Sequence, residues 1–346
     1  MLPSHLMDPT KKKNERLSHT RLGQAPPAPL PSLCVTGAMC QQGRMETVSG
    51  DVNERVTLAY CVFRPRQLHS SEKPPLVVLH GGPSIPSNYL LPIVNGVTDR
   101  AVVFYDQWGC GKSSRPSKST KTPFSISTMV QHLGQLLRKQ WKLNAYHLLG
   151  HSFGGILAYE YLLQLQEAER GTFGGCQSLI LASTPTSASL IQEESRRLYR
   201  DIAGMDENDM DEEDDTLSKK RYDEIFRQTH ECRLVQTPLA LMDALAQAGP
   251  ISWRGIPAIA DYEAPATAAH QTKFLPTLVL TGEYDFCTDQ CVAGWKERIL
   301  DPPPKYKILT NCSHYGMLED ERQYGNAILA FLLQQDKTTP KVTKGE

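Results

Sequence analysis

Short apolar runs that alternate with longer amphipathic stretches limit this chain to few folds. Continuous hydrophobicity over such short runs is typical of strands that are buried on both faces, as in a parallel sheet. We expect strands at Val56–Arg64, Pro75–His80, Ala101–Asp106, Tyr146–Gly150, Leu179–Ala182, Thr277–Thr281 and Tyr306–Leu309. Helical periodicity covers Ser125–Trp141, Gly155–Gln166, Asp289–Leu300 and Leu318–Gln334. This alternation predicts an α/β fold, with a mostly parallel central sheet flanked by helices.

The pattern breaks at both ends and once in the middle, which divides the chain into segments. The N-terminal segment is basic and rich in proline, so it cannot build a core, whereas the middle segment is polar and helical. We expect a disordered tail over 1–43, the first part of the core over 44–183, a helical cap over 184–271, the second part of the core over 272–336, and a disordered tail over 337–346. An acidic run at 206–215 lies in the cap and is interpreted as a solvated loop, with a role in substrate binding as the alternative.

The composition excludes several classes of protein. The chain has 37 Lys and Arg against 38 Asp and Glu, so its charge gives no reason to bind nucleic acid or an anionic membrane. No run approaches the roughly 18 apolar residues that cross a bilayer. The 9 cysteines are scattered without a paired CxxC, which predicts reduced thiols, no metal site and a cytoplasmic location. The basic N-terminal tail keeps organellar targeting open as an alternative.

The motif Gly150-His151-Ser152-Phe153-Gly154 carries the main chemical signal. It directly follows a predicted strand and directly precedes a predicted helix, which is the context of a nucleophile elbow. Glycine is needed on both sides of the serine because side chains there would collide with the adjacent strand and helix. We therefore predict Ser152 as a nucleophile for acyl transfer.

A nucleophilic serine needs a histidine base and an acid that orients it, in the chain order serine, acid, histidine. His314 follows the predicted strand Tyr306–Leu309, whereas His230 and His270 fall in the predicted cap. Asp285 follows the strand Thr277–Thr281. Its rivals are Asp289, which is expected to cap a helix, and Asp301, which begins a proline-rich turn. We predict Ser152, Asp285 and His314 as the catalytic residues.

An oxyanion hole needs two backbone donors. The amide of Phe153 directly follows the nucleophile and is the first candidate. The second is expected in the loop His80-Gly81-Gly82-Pro83, because glycine lets backbone amides approach the substrate closely. We favour Gly82 there, with Gly81 as the second choice. His80 is expected to hold this loop rather than to act as a base.

Together these motifs resemble those of the proline iminopeptidases, a family of serine peptidases with the α/β-hydrolase fold. The resemblance covers about residues 45–335 and is closest to the tricorn-interacting type. It rests on the elbow and on the loops at 80–83, 106–113, 282–285 and 312–314. It implies a helical cap, no cofactor, and release of a small N-terminal residue, often proline, from short peptides.

The chain departs from the pattern of this family where the substrate's amine is bound. The family motif HGGPG has Ser84 at its fifth position here. Members of the tricorn-interacting type hold the free amine with acidic groups, and the matching positions here are Phe286 and Ser252. Without a paired carboxylate, an ammonium group is costly to desolvate. These departures predict weaker selection for a free N-terminus.

The sequence therefore predicts a serine hydrolase that acts through an acyl-enzyme. The first hypothesis is a proline iminopeptidase-like aminopeptidase. The alternative is an amidase or esterase for an apolar small molecule without recognition of a free amine. A third interpretation is a ligand-binding protein without turnover. The presence of Ser152, Asp285 and His314 disfavours it. Trp253 and Phe286 are candidates for the apolar substrate pocket.

Overall fold

Eight strands form one central sheet in the computed structural model, which describes residues 38–49, 54–65, 73–117, 124–168, 172–204, 216–266 and 273–338. The strands are β1 (Ala38–Ser49), β2 (Glu54–Pro65), β3 (Leu76–Leu79), β4 (Val102–Tyr105), β5 (Tyr146–His151), β6 (Cys176–Ala182), β7 (Thr277–Gly282) and β8 (Lys305–Leu309). Their order across the sheet is β1-β2-β4-β3-β5-β6-β7-β8.

The sheet is mostly parallel, as the sequence predicts. β1 with β2 and β2 with β4 are antiparallel pairs, and all the other neighbouring strands are parallel. In the centre of the sheet, Val77 of β3 lies opposite both Val103 of β4 and Leu148 of β5. The carboxyl ends of the six parallel strands therefore share one edge, where loops from distant parts of the chain can meet.

Helices fill most of the connections between strands. They are α1 (Ile93–Gly96), α2 (Ile126–Gln135), α3 (Phe153–Ala168), α4 (Ala188–Ala203), α5 (Thr216–Phe226), α6 (Leu239–Ala246), α7 (Asp289–Ala293), α8 (Trp295–Arg298), α9 (Gly316–Glu319) and α10 (Glu321–Thr338). Two wide turns extend α2 and α5, and short 3₁₀ segments lie at Ser87–Leu90, Ile251–Trp253 and Ile256–Ile259. None of the helices that the structure describes is long and apolar enough to cross a membrane.

The alternation of side chains along the parallel strands builds two hydrophobic layers. In β3, Val77 and Leu79 join the layer that contains α2 and α3, and Leu76 and Val78 join the opposite layer with α1 and α10. All four side chains are buried. Because both faces of the sheet are covered in its centre, β3, β4 and β5 are buried along their whole length.

The N-terminal boundary differs from the prediction. β1 begins at Ala38, so residues 38–43 belong to the sheet and not to the tail of 1–43. β1 is an edge strand, and residues 39–42 are exposed, so it has no apolar run that would mark it as a strand. Backbone pairing with β2 holds it in place. Residues 1–37 and 339–346 of the predicted tails lie outside the described residues.

The segment 184–271 is helical where the structure describes it. It contains α4, α5, α6 and the two later 3₁₀ segments, and its described residues form no strand beyond an isolated bridge between Ser187 and Glu263. The acidic run at 206–215 lies outside the described residues, so its interpretation as a solvated loop stays a prediction.

A buried cation ties the C-terminal helix to the sheet. The guanidinium of Arg100 is buried and donates to both carboxylate oxygens of Asp336 in α10, at 3.2 and 2.7 Å, and also to Asp99. Lys73 lies 3.1 Å from Asp336. Burial alone raises the pKa of Asp336, but its bonds to Arg100 and Lys73 outweigh this effect and lower it. The ionised carboxylate is therefore the form that stabilises the fold.

Substitution Asp336→Asn is expected to lower the free energy of unfolding by about 2 kcal/mol at pH 7, the scale of hydrogen bonds to charged groups. A carboxyl pKa that is lowered on folding stabilises above its unfolded value of about 4. The difference from the wild type should therefore disappear as the pH falls below about 4. Urea unfolding over this pH range measures it. The exposed Asp261→Asn serves as the control, and an equal loss in both variants would contradict the role of the network.

Candidate active site

Ser152 occupies a sharp turn between β5 and α3. Its φ angle is 54°, in the left-handed region that residues other than glycine rarely adopt. Its amide donates to the carbonyl oxygen of Ala182 in β6, at 2.7 Å, which fixes the turn against the neighbouring strand. The side chain is half-buried at the carboxyl edge of the sheet. The turn thus has the geometry of the predicted nucleophile elbow.

The glycines beside Ser152 are required by close backbone contacts. A Cβ atom on Gly150 would collide with the main chain of Gly154, the second residue of α3. A Cβ atom on Gly154 would collide with the carbonyl oxygens of Leu79 and His80. These contacts press the start of α3 against β5 and against the end of β3. Larger residues at either position would open the elbow.

Asp285 and His314 meet at the same edge of the sheet, although they are 29 residues apart in the chain. His314 Nδ1 lies 2.8 Å from Asp285 Oδ1, and both side chains are buried. The amide of Cys287 donates to the same carboxylate oxygen at 2.8 Å. Because the carboxylate accepts from Nδ1–H, it leaves Nε2 as the basic nitrogen of the imidazole.

The rival acids are exposed, and the rival histidine that the structure describes has a different role. Asp289 is exposed in the first turn of α7, where Thr288 and not Asp289 is the N-cap residue. Asp301 is exposed and pairs with Lys273 through a backbone bridge. The carbonyl of His230 accepts the amides of Phe286 and His314, and its Nδ1–H donates to the carbonyl of Tyr284 at 2.8 Å, so His230 supports the loops of Asp285 and His314. His270 lies outside the described residues.

His151 joins the elbow to the loop of His314. The Nε2–H group of His151 donates to the backbone carbonyl of His314 at 2.9 Å, and the two ring centres are 4.7 Å apart. Since His151 immediately precedes Ser152, this bond brings the proposed nucleophile and the proposed base into one locality. The pair of His314 and Asp285 and the turn of Ser152 therefore lie at the same edge of the sheet.

The structure separates the two candidates for the second oxyanion donor. The amide of Gly81 already donates to the hydroxyl of Tyr89 at 2.8 Å, which favours Gly82 over Gly81 as the second donor. Gly82 has a φ angle of 117°, and its amide donates no hydrogen bond within the described part of the chain. Phe153 is the first residue of α3, where no preceding helical turn accepts its amide. Gly82 and Phe153 remain as the candidate pair.

His80 holds the loop that carries these glycines. Its Nδ1–H donates to the carbonyl of Gly81 at 3.0 Å, and its Nε2 accepts the amide of Gln107 at 2.9 Å. The side chain of Gln107 donates in turn to the carbonyl of His80 at 2.7 Å. Burial lowers the pKa of His80, which suits a neutral ring with one donor and one acceptor. Both ring nitrogens are occupied, so His80 is not placed to act as a base.

The two predicted pocket residues lie beside the site. The ring of Phe286 is 4.2 Å from that of His314, at 34°. Trp253, from the cap, is buried and contacts Phe153 edge to face with centroids 5.8 Å apart. Aromatic surfaces therefore border the proposed base and the proposed oxyanion donor.

Sequence reasoning missed Glu319, which braces the loop of His314. Its carboxylate accepts from the amide and the hydroxyl of Ser313 and from the amide of Arg233 in the cap. It thereby ties the cap to the residue next to His314. An acid five residues after the histidine gives no local signal for this role, because its partners come from separate loops. Among the described residues, no group of three or more His, Cys, Asp or Glu side chains is arranged to hold a metal ion.

Comparison with known proteins agrees with this geometry. Residues 76–326 match the alpha/beta hydrolase family. The proline iminopeptidase of Lactobacillus acidophilus is 32% identical over 270 residues, which cover 73% of this chain and 88% of the relative. That of Lactobacillus delbrueckii subsp. bulgaricus is 29% identical over 283 residues, covering 77% and 92%.

The chain belongs to the proline iminopeptidase branch of the alpha/beta hydrolase family. Solved structures agree with this fold. The proline iminopeptidase of Mycobacterium smegmatis superimposes with a TM-score of 0.68 at 23% identity, covering 86% of this chain and 99% of that one. The esterase of Thermogutta terrifontis superimposes with a TM-score of 0.56 at 17% identity, covering 85% and 99%. This alpha/beta hydrolase is therefore an enzyme of the hydrolase class.

The position of the orienting acid can be tested by comparing two aspartates of the hydrolase. We expect Asp285→Asn to lower kcat by about 10⁴-fold, because the amide stabilises the wrong tautomer of His314. Asp289→Asn is the matched control and should change kcat by less than about 2-fold, since that side chain is exposed. Steady-state kinetics on an activated ester measures both. The assignment fails if Asp289→Asn is the more damaging variant.

Proposed function

We propose that this hydrolase is a serine aminopeptidase of the proline iminopeptidase type, which releases an N-terminal proline or another small residue from short peptides. The observation that carries the proposal is the hydrogen bond of 2.8 Å between His314 and Asp285, at the same sheet edge as the strained Ser152. The relatives named proline iminopeptidase support the substrate class.

The proposed reaction is a two-step acyl transfer. The hydroxyl of Ser152 attacks the scissile carbonyl while Nε2 of His314 takes its proton. The amides of Gly82 and Phe153 stabilise the tetrahedral oxyanion. His314 then protonates the leaving amine as the C–N bond breaks, which leaves an ester on Ser152. A water molecule, deprotonated by His314, hydrolyses this ester and restores the serine.

Asp285 acts on His314 throughout this cycle. Its carboxylate accepts the Nδ1–H bond, which keeps Nε2 directed at the reaction, and it stabilises the imidazolium that forms when His314 is protonated. The amide of Cys287 holds the same carboxylate oxygen in place. The acid is buried, so this interaction is screened less than it would be in water.

Binding of a free N-terminus needs an anion, because the imino group of an N-terminal proline is protonated near neutral pH. Glu231 is the candidate in this chain. Its backbone carbonyl accepts the amide of Tyr315, next to His314, at 2.9 Å. Its carboxylate accepts no hydrogen bond within the ranges that the structure describes. Burial raises its pKa, while the charge of protonated His314 lowers it. Arg227 also lowers the pKa of Glu231 through its charge, and a cationic amine would add a further countercharge at this carboxylate.

A second function is favoured by Phe286. Its ring contacts His314 at a position where the resemblance implies an acid, so this part of the pocket is apolar. An amidase or esterase that accepts a neutral apolar substrate would use the same Ser152, Asp285 and His314. The two functions differ only in whether a free amine increases the rate.

Turnover of two proline arylamides separates these functions. We expect the compound with a free imino group to be hydrolysed at least about 10-fold more efficiently, in kcat/KM, than its N-acetylated form. Ser152→Ala should abolish both activities. Preference of the wild type for the acetylated compound would overturn the aminopeptidase proposal and favour the amidase or esterase. Unchanged turnover by Ser152→Ala would overturn both.

The role of Glu231 predicts a specific change in KM. Glu231→Gln should raise KM for the free-imino arylamide about 10-fold, corresponding to about 1.4 kcal/mol, and leave KM for the acetylated form unchanged. Glu224→Gln is the matched control, because Glu224 is exposed nearby and already accepts from Arg227. Equal KM changes on both substrates, or none in Glu231→Gln, would contradict amine binding by Glu231.

A further inference from the structure

A path of three hydrogen bonds runs behind Ser152 and uses no group of the proposed reaction. The amide of Gly81 donates to the hydroxyl oxygen of Tyr89 at 2.8 Å. The same hydroxyl lies 2.9 Å from Nδ1 of His151. Nε2 of His151 lies 2.9 Å from the carbonyl oxygen of His314. The path therefore joins the oxyanion loop, the elbow and the loop of the base.

The two ends of the path fix the direction of every bond in it. A backbone amide only donates, so Tyr89 accepts from Gly81. A backbone carbonyl only accepts, so the proton of His151 is on Nε2. In a neutral imidazole Nδ1 is then an acceptor, and it receives the hydroxyl proton of Tyr89. Each donor has one acceptor, and no polar atom of the two side chains is left over.

The surroundings favour this neutral state. Tyr89 and His151 are each only 1% exposed. Burial lowers the pKa of His151 well below its ordinary value, and the charge of His314, when protonated, lowers it further. Protonation of His151 would add a second donor at Nδ1 and leave the hydroxyl proton of Tyr89 without its acceptor. The path is thus intact when His151 is uncharged.

The path also restrains the space around the nucleophile. Gly81 is so close to Ser152 that a Cβ atom on Gly81 would lie 2.9 Å from Cβ of the serine. A small shift of this loop would therefore move Gly82, the candidate oxyanion donor, relative to Ser152. At the other end, the bond from His151 holds the main chain of His314, which carries the proposed base. The distances between donor, nucleophile and base all depend on these bonds.

We propose that Tyr89 and His151 are positioning residues that hold the oxyanion donor and the general base at a fixed spacing across Ser152. The proposal rests on the acyl-transfer function proposed above. Neither side chain touches the substrate in this role. Their effect should appear in the chemical step, because misplacement of a reacting group by about 1 Å costs about 10²-fold in rate.

The first test is Tyr89→Phe, which keeps the ring and removes the hydroxyl. We expect kcat to fall about 10- to 100-fold while KM changes less than about 3-fold, because the change disturbs the transition state and not the substrate pocket. Tyr105→Phe is the matched control. Tyr105 is also buried, but its hydroxyl has no partner among the described residues, so its removal should leave kcat unchanged. Circular dichroism verifies that both variants are folded.

A double-mutant cycle distinguishes a connected path from two separate structural contributions. If Tyr89 and His151 act as one unit, Tyr89→Phe combined with His151→Asn should be no more than about 3-fold slower than the slower single variant. If the two losses multiply, the residues act independently and the proposal is overturned. A fall in folded fraction with kcat per folded enzyme unchanged would also overturn it.

The assay is chosen so that the proposed substrate specificity does not influence this test. All variants are measured on p-nitrophenyl acetate, an activated ester without an amine, as well as on the free-imino proline arylamide. A loss of kcat on both substrates supports the positioning role. If the wild type hydrolyses the ester but not the arylamide, the aminopeptidase function is contradicted. The double-mutant cycle measured on the ester then still tests the roles of Tyr89 and His151.

Discussion

The left-handed backbone at Ser152 is the constraint on which the rest of the site depends. A non-glycine residue at a φ angle of 54° is held there only by tight surroundings. The bond to Ala182 restrains the turn on one side, and the glycine contacts with β3 restrain it on the other. The same turn is followed directly by α3, whose first amides have no preceding helical turn to accept them. One strained turn thus carries both the proposed nucleophile and one proposed oxyanion donor.

Much of the fold and of the candidate site could be predicted from the sequence, because strand ends and local turns have recognisable patterns. Ser152, Asp285 and His314 each follow an apolar run, and a parallel sheet brings such ends to one edge, so each residue could be placed from its own neighbourhood. The parallel core and its helices followed in the same way. β1 could not be predicted in this way, because an exposed edge strand has no apolar pattern and is held by backbone pairing with β2.

The missed residues depend on contacts between distant segments. Nothing near Gly81 in sequence indicates that Tyr89 occupies its amide, yet this bond distinguishes Gly81 from Gly82 as the proposed oxyanion donor. Glu319 likewise acts on Ser313 and on Arg233, which is 86 residues away. Side-chain to backbone bonds of this kind are set by tertiary packing, so they become visible only in the fold. They also explain why the proposed catalytic groups were easier to identify than the groups that hold them.

The core and the cap contribute different parts of the candidate site. The core supplies the proposed reacting groups from strand ends, whereas the cap contacts the same loops through Trp253 and Glu231. Selectivity for a substrate can therefore change in the cap and at Phe286 without altering the acyl-transfer groups. This division agrees with a chain whose elbow motif resembles that of the proline iminopeptidases, while Phe286 and Ser252 depart from the acids that the resemblance implies.

Covalent labelling can show directly whether Ser152 is a nucleophile that His314 activates. The enzyme is incubated with a fluorophosphonate, and intact-mass spectrometry with peptide mapping counts and locates the adducts. We expect one adduct per chain, on Ser152, with labelling at least about 10³-fold slower in His314→Ala. An adduct on another residue together with loss of activity, or equal labelling of the His314→Ala variant, would contradict it.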